Sequence, residues 1–391
     1  MTLRHPARRT EPQPELWLAL TEVPGTPRVW GMAPGERLRR MLRGRGLAGV
    51  LAAGDAWPTQ GRVLLARGDV VVDDSVVDGL LAEPGTGVSD AAGNRVLLAH
   101  VAAADAAEAW HGLGAAPAAW TRLPVLAPRA VARRYRGALR KRADPVCRTV
   151  APGEARAAER EVYGAAYKGV TDFITKWVWP EPAFHATRAC VRLGLTPNAV
   201  TLIGFALMLA ALGLFWSGHL GWGLLAAWPM TFLDTVDGKL ARVTQTASFF
   251  GNMLDHITDI LHPPAWYAAW AAGAAAAGAG LPPGWFGPVV AVMVAGYTLG
   301  RLAEGWFELR HGMDVHIWRP FDSAFRLITA RRNPNLLILT ASWLAGIPAV
   351  GLLAITAWHL ISDAVYALRL TAAERARARG APPVSWLRAA A

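Results

Sequence analysis

The sequence predicts an α-helical integral membrane domain preceded by a soluble α/β domain. Three observations lead there. The 391-residue chain is 53% hydrophobic and only 18% charged, against about 25% charged in ordinary soluble domains. Its mean hydropathy is +0.24. Its character changes near residue 150, from short apolar runs broken by turns to long uncharged stretches. This composition excludes a disordered chain, a disulfide scaffold and a simple soluble enzyme. The two cysteines, Cys147 and Cys190, lack the spacing of a metal knuckle or redox pair.

The opening segment, MTLRHPARRTEPQPE, is basic and then broken by proline. No apolar core follows it directly, so it does not read as a secretory signal. Residues 61–81, GRVLLARGDVVVDDSVVDGLL, read as a buried strand, an acidic turn and a helix start. RVLLAHV (95–101) is a second strand, and AAADAAEAWHGLG (102–114) is a helix ending at glycine. Strands alternating with helices indicate an α/β domain, assigned to residues 1–150 and placed in the cytosol.

Residues 122–148 carry a basic run that includes Arg122, Arg129, Arg133, Arg134, Arg136, Arg140, Lys141, Arg142 and Arg148. Apolar spans follow it, so anionic lipid is the expected neighbour and nucleic acid is not expected as a partner. A solvated helix face is the plainer alternative. The chain has only four lysines, and the arginine excess beside abundant alanine reads as composition bias. Residues 151–195 are expected to form a basic linker with an amphipathic helix on the membrane surface.

From residue 196 the pattern is that of a bilayer. AVTLIGFALMLAALGLFW (199–216) is uncharged over 18 residues, close to the ~20 needed to span. Further spans are expected at 220–239, 251–274 and 286–307. The stretch 333–370 is too long for one helix, and Gly346-Ile347-Pro348 divides it into a short fifth and a longer sixth span. The domain thus covers 196–370 with six helices, followed by a basic tail, 371–391. Lys239, Arg242, Arg310, Arg319, Arg326, Arg331 and Arg332 fall in alternate loops, and the loops between those carry no Lys or Arg. The positive-inside rule then gives a multi-pass inner (cytoplasmic) membrane protein with both termini in the cytoplasm.

The chemistry concentrates in LDTVDGKLARVTQTASFFGNMLDHITD (233–259). Asp234 and Asp237 are three apart, and Asp255 and Asp259 are four apart. On helices each pair shares a face, and two facing helices bring four carboxylates together. Like charges repel, and burial adds to the cost, so cations are needed. Oxygen-only ligands suit Mg²⁺, Mn²⁺ or Ca²⁺, and a two-ion site suits a pyrophosphate substrate. Gly238 and Gly251 permit close approach, and Arg242 can pair with phosphate as a fork. The plainer account, pairing with Lys239 and Arg242, leaves two basic groups against four acids.

These residues carry a resemblance. Asp234, Asp237, Gly238, Ala241, Arg242, Gly251, Asp255 and Asp259 match the CDP-alcohol phosphotransferase signature, Asp-x2-Asp-Gly-x2-Ala-Arg-x8-Gly-x3-Asp-x3-Asp, at every fixed position. The resemblance covers roughly 170–370, and Thr196-Pro197-Asn198 looks like the family's opening to its first span. It implies an enzyme that moves a substituted phosphoryl group from a CDP-alcohol to an acceptor hydroxyl and releases CMP, in phospholipid or phosphodiester biosynthesis. It implies Mg²⁺ or Mn²⁺ as cofactor, as two ions held by Asp234, Asp237, Asp255 and Asp259, with Asp259 as general base. Asp234, Gly238, Ala241, Arg242, Gly251, Asn198 and Thr201 are expected to form the CDP site. Family members are often homodimers, so a homodimer is expected here.

His256 also looks like the choline and ethanolamine phosphotransferase branch. It points about 100° from Asp255 on a helix, which favours packing over catalysis. Arg301 and Glu304 are intramembrane charges three apart, and either an acceptor site or a mutual ion pair accounts for them. Arg301, Arg319, Arg326 and Arg331 are the candidates for acceptor binding, with Arg332 beside them, and anchoring to lipid headgroups is the alternative for the last four. The acceptor is a polyol, a polyol phosphate or a lipid. The donor is of the CDP-diacylglycerol or the CDP-inositol type.

The first domain resembles a sugar-phosphate nucleotidyltransferase at 29–55 and 64–81, with Asp69 as the matching metal-binding acid. The glycine-rich loop of that family corresponds here to LWLALTEVPGTPR (16–28), with one glycine and one basic residue. A phosphate cradle needs several approachable N–H groups, so the domain is expected to be degenerate. The alternative is a bifunctional enzyme that also makes its CDP-alcohol from CTP and a polyol phosphate. A divalent-cation transporter is a further reading of the four acids. It gives no reason for Arg242 beside them.

Overall fold

Apolar runs at 63–66 and 96–101 form the centre of a six-stranded sheet in the computed structural model. The structure describes residues 15–389, apart from the side chains of Phe250, Asp255 and Ala389. The strands are β1 (Leu16–Thr21), β2 (Leu47–Leu51), β3 (Arg62–Arg67), β5 (Thr86–Ser89), β6 (Val96–Ala102) and β7 (Val125–Leu126), in the order β2-β1-β3-β6-β5-β7; β4 (Val70–Val72) lies outside this sheet and pairs with Cys147–Thr149. β1 runs parallel to β2 and β3, and β6 runs antiparallel to β3 and β5.

Successive side chains of β3 alternate between two cores. Leu64 and Ala66 pack with Leu38, Met41 and Leu42 of α1 (Pro34–Arg43) and Val76 and Leu80 of α2 (Asp74–Ala82). Val63 and Leu65 pack with Ala106 and Ala109 of α3 (Ala106–Gly112). Burial on both faces is why the strand reads as an unbroken apolar run rather than an alternation. Of the strand, acidic turn and helix start expected at 61–81, the strand is β3 and the helix is α2, while Val70–Val72 forms a further strand, β4, that was not expected. Asp73 caps α2 by accepting from Ser75 N at 3.0 Å and Val76 N at 3.4 Å. α4 (Pro128–Val131) and α5 (Ala155–Ala165) complete this unit, and α5 is held where Trp30 Nε1 donates to Glu159 O at 3.0 Å.

The chain divides into two units. The sheet-bearing one comprises residues up to Arg136 together with Ala143–Ala165, and the helical one comprises Gly137–Arg142 together with Ala166 onward. The helical unit contains α6 (Pro180–Arg192), α7 (Pro197–Trp216), α8 (Leu220–Thr244), α9 (Phe249–Ala276), α10 (Phe286–His311), α11 (Pro320–Phe325), α12 (Arg332–Leu344) and α13 (Pro348–Ala378). Thr196 opens α7 by accepting from Ala199 N at 3.2 Å, and Ser248 opens α9 by accepting from Gly251 N at 3.0 Å. Gly346, at φ +75°, ends the turn after α12.

Among the described residues, three helices are long and apolar enough to cross a membrane: α7, α10 and α13. α8 and α9 coincide with the expected second and third spans, but the signature charges lie within them. α12 is only 13 residues long. The inner faces of these helices meet in one cluster that includes Met208, Phe215, Leu224, Trp266, Trp270, Met293, Leu336 and Leu352. Trp270 Nε1 donates to Pro348 O at 3.2 Å and Trp266 Nε1 to Met208 O at 3.1 Å. These bonds satisfy two indole donors that burial would otherwise strand.

Candidate functional site

The signature places its acids at the α8–α9 turn. Asp234 and Asp237 lie near the end of α8, and Asp259 lies on α9 after the turn at 245–248. Arg332, the first residue of α12, reaches across to both helices. Its Nη1 donates to Asp234 Oδ1 at 3.0 Å and to Asp259 Oδ1 at 2.8 Å, and its Nη2 bonds the other Asp234 oxygen. One acid from each helix, Asp234 and Asp259, thus meets at a single cation. Asp237 is buried and accepts from Thr201 Oγ1 of α7 at 2.6 Å.

Asn198 and Gly251 hold the turn together. Ser248 Oγ donates to Asn198 Oδ1 at 2.9 Å. A Cβ on Gly251 would lie 2.4 Å from that same Oδ1, so only glycine allows α9 to start this close to α7. Gly238 lies against the Arg242 guanidinium, and a Cβ there would sit 3.3 Å from Nη2. Arg242 Nε donates to Ala166 O at 3.0 Å, and Lys239 Nζ lies 3.6 Å from the centre of the Tyr167 ring, a cation–π contact. Ala241 continues α8 one turn beyond Asp237. His256 is exposed, with Nδ1 2.8 Å from Asn252 O of its own helix. The side chain of Asp255 lies outside the described residues.

Asp234, Arg242 and Asp259 open onto a cavity of about 200 Å³, whose described lining includes eight basic residues and three acids. Arg301, Arg326 and Arg331 line it as well, and Arg332 closes it beside the acids. Arg319 instead begins α11 and lies 5.5 Å from the Trp318 ring. The excess of basic over acidic lining, in a partly enclosed space, favours an anionic ligand.

Glu304 organises two of these arginines. Its carboxylate bonds both Arg301 and Arg331, with Arg331 Nε at 3.2 Å, and it also meets Tyr366 OH and His316 Nε2. The expected Arg301–Glu304 pair is therefore one edge of a larger cluster. Burial pushes His316 down to about 3, so its ring is neutral and adds no charge. Burial also lowers Arg326 and Arg331 below their ordinary values, though a guanidinium remains charged.

Sequence reasoning did not single out Lys168, Asp172 or Tyr297, which also line the cavity. Asp172 accepts from Thr175 N at 3.0 Å, Thr175 Oγ1 at 2.9 Å and Asn333 Nδ2 at 3.0 Å. Burial would raise its carboxyl, but Arg326 and these donors outweigh it and hold Asp172 below the ordinary value. Tyr297 OH donates to the backbone O of Asp259 at 2.5 Å.

Among the described residues no three metal-ligating side chains gather into one group. Even so, the donor set fits a hard divalent cation. Asp234 and Asp259 already converge on one positive group, and every candidate ligand is a carboxylate oxygen.

In the first unit, Asp69 is buried and accepts from Arg67 Nε at 3.0 Å and Nη2 at 2.8 Å. Both of its oxygens are engaged within the chain.

Residues 194–371 match the CDP-alcohol phosphatidyltransferase family. The phosphatidylinositol phosphate synthase of Mycobacteroides abscessus is 41% identical over 88 residues, 22% of this chain and 40% of the relative. The archaetidylinositol phosphate synthase of Pyrococcus horikoshii is 37% identical over 82 residues, 21% of this chain and 43% of the relative. The chain thus spans about two-fifths of the length of these curated relatives. A crystal structure of Mycobacterium tuberculosis phosphatidylinositol phosphate synthase with CDP-DAG bound is 20% identical, with a TM-score of 0.37, over 48% of this chain and 93% of that one.

Proposed function

From the match of residues 194–371 to the CDP-alcohol phosphatidyltransferase family, we propose that the protein transfers a phosphatidyl-type group from a lipid-linked CDP-alcohol, such as CDP-diacylglycerol, to a hydroxyl of a phosphorylated polyol, releasing CMP. The observation that carries this reading is the cavity itself. Two signature carboxylates, Asp234 and Asp259, share it with a surplus of basic side chains. The names of the relatives agree with a lipid phosphoryl group joined to an inositol phosphate.

In this reading the acceptor oxygen forms a bond to the phosphorus next to the lipid alcohol. The bond from that phosphorus to the CMP oxygen breaks, and CMP leaves with the electron pair. Asp259 takes the acceptor proton, a role that needs hydrogen-bond reach and contributes about 10²–10⁴-fold. Tyr297, bonded to the Asp259 carbonyl, fixes that turn of α9. Asp234, Asp237, Asp255 and Asp259 would hold Mg²⁺ or Mn²⁺ as two ions. When bound, such ions supply positive charge to the pyrophosphate and the departing CMP. Thr201 holds Asp237 in place. Gly238, Ala241, Arg242, Gly251 and Asn198 shape the CDP side, and Arg301, Arg326 and Arg331 receive the acceptor phosphate, where a guanidinium fork matches its oxygens.

The helical unit sits in a bilayer in this reading, with six spans, both termini cytoplasmic and the inner membrane as its location. Supporting this, Leu202, Leu209, Leu225, Ile260, Leu299, Leu360 and Leu368 all point outward, as lipid-facing side chains must. The test is CMP release by purified protein given CDP-diacylglycerol and a polyol phosphate, with Mn²⁺ or with chelator. Release that survives chelation contradicts the metal assignment.

A further inference from the structure

Segment Gly137–Arg142 precedes the family-matched region by more than a helix, and sheet-unit residues flank it in sequence on both sides, yet it belongs to the helical unit. Two contacts hold it there. Gly169 N donates to Leu139 O at 2.9 Å, and Arg140 Nη2 meets Asp314 Oδ2 at 2.7 Å. Gly169 is required for this approach, because a Cβ would lie 2.5 Å from Lys141 Cβ and 2.7 Å from Arg140 O. Arg140 itself takes φ +49°, a conformation that non-glycine residues adopt only when their surroundings enforce it.

The result is that Arg140 lines the cavity with Lys168, Arg326 and Arg331. Arg326 is 7% exposed, and its Nε and Nη1 find no partner among the described residues. Nearby acids are already engaged: Asp314 with Arg140 and His316 N, Asp172 with Thr175 and Asn333, and Glu304 with Arg331. Like charges held together with donors left over call for a multivalent anion that can accept several hydrogen bonds.

We infer that Arg140, carried into the helical unit by segment 137–142, is a specificity-determining residue that holds the phosphate monoester of the acceptor together with Arg326. This rests on the acceptor class proposed above and adds a contributor from outside the family-matched region. Recognition of the acceptor phosphate then depends on chain that a transferase domain cut at residue 194 would lack.

The test uses full-length protein in detergent, with CDP-diacylglycerol as donor, a polyol phosphate as acceptor and inorganic phosphate as competitor. Arg140→Ala is expected to raise KM for the phosphorylated acceptor at least tenfold. It should weaken inhibition by inorganic phosphate by a similar factor, leaving kcat and the KM for donor within about twofold. Arg140→Lys should recover part of the loss, and Arg140→Gln stands in if the alanine variant does not fold. Unchanged acceptor KM and phosphate inhibition in Arg140→Ala, with active parent protein, overturn the inference alone. Parent protein that turns over only unphosphorylated acceptors overturns the acceptor reading and this inference with it.

Discussion

Arg332 Nη1 lies 2.8 Å from Asp259 Oδ1, so the carboxylate read as the proton acceptor already faces a positive group from another helix. The same nitrogen reaches Asp234 at 3.0 Å. Arg332 therefore acts as counter-ion for two signature acids, and in the proposed reading divalent cations would compete with it for the same oxygens.

Arg332→Ala leaves those two acids facing each other. A partly exposed pair is worth less than the 3–5 kcal/mol of a fully buried one, so a loss of about 2 kcal/mol is expected without metal. That corresponds to about 4–8 °C in Tm. Mn²⁺ should stabilise the variant more than the parent. Equal metal-induced shifts in the two proteins would contradict the competition.

Asp259→Asn keeps the shape but removes the proton acceptor. CMP release should fall by about 10²–10⁴-fold, while the thermal melting transition stays like the parent's. Turnover within tenfold of the parent would remove Asp259 from the base role.

Thr201→Val deletes the 2.6 Å bond to Asp237. Hydrogen bonds to charged groups contribute about 1.5–3 kcal/mol. Weaker Mn²⁺ binding is expected, read by titration of metal-dependent CMP release and by the thermal shift on adding metal. An unchanged metal midpoint would show that Thr201 does not position Asp237.

Asp172 makes a pH prediction. Its pKa is lower in the folded protein than the ordinary value, which is about 3.9. Its stabilising contribution is therefore fully present above that pH and is lost as pH falls through the folded value. Asp172→Asn should be less stable than the parent at neutral pH, and the gap should narrow below about pH 4. A gap that stays constant down to pH 2 would show that the charge of Asp172 contributes nothing.

The first unit should not make the donor. Asp69 has both oxygens on Arg67, and the segment at 16–28 offers one glycine and one basic residue. Full-length protein given CTP and a panel of polyol phosphates is expected to release no pyrophosphate. Reproducible pyrophosphate would establish the bifunctional alternative.

Much of this was legible in the sequence because it is local. The signature spacing lies on two consecutive helices joined by four residues, so a linear pattern becomes a spatial one with little intervening chain. β3, α2, α7 and the break at Gly346 were readable for the same reason: apolar period, caps and turn residues are short-range signals. The rest of the cavity was not readable. Arg140, Lys168, Asp172 and Arg332 come from segments far apart in sequence, and each is one charge among many. Arg319 and Arg326 look alike in sequence, yet one caps a short helix and the other is buried against the cavity. Only tertiary packing separates them. α8, α9 and α12 fall short of the length or apolarity of a self-evident span because they carry the site or are brief.

The central claim is that one cavity joins a CDP-alcohol to a phosphorylated acceptor. A matrix of CDP-alcohol donors against polyols and their phosphates, scored by CMP release with Mn²⁺ present, tests it directly. The account predicts turnover with CDP-diacylglycerol and a polyol phosphate, little with the unphosphorylated polyol, and none in Asp259→Asn. Turnover that ignores the acceptor phosphate, or no CMP from any donor, would contradict it.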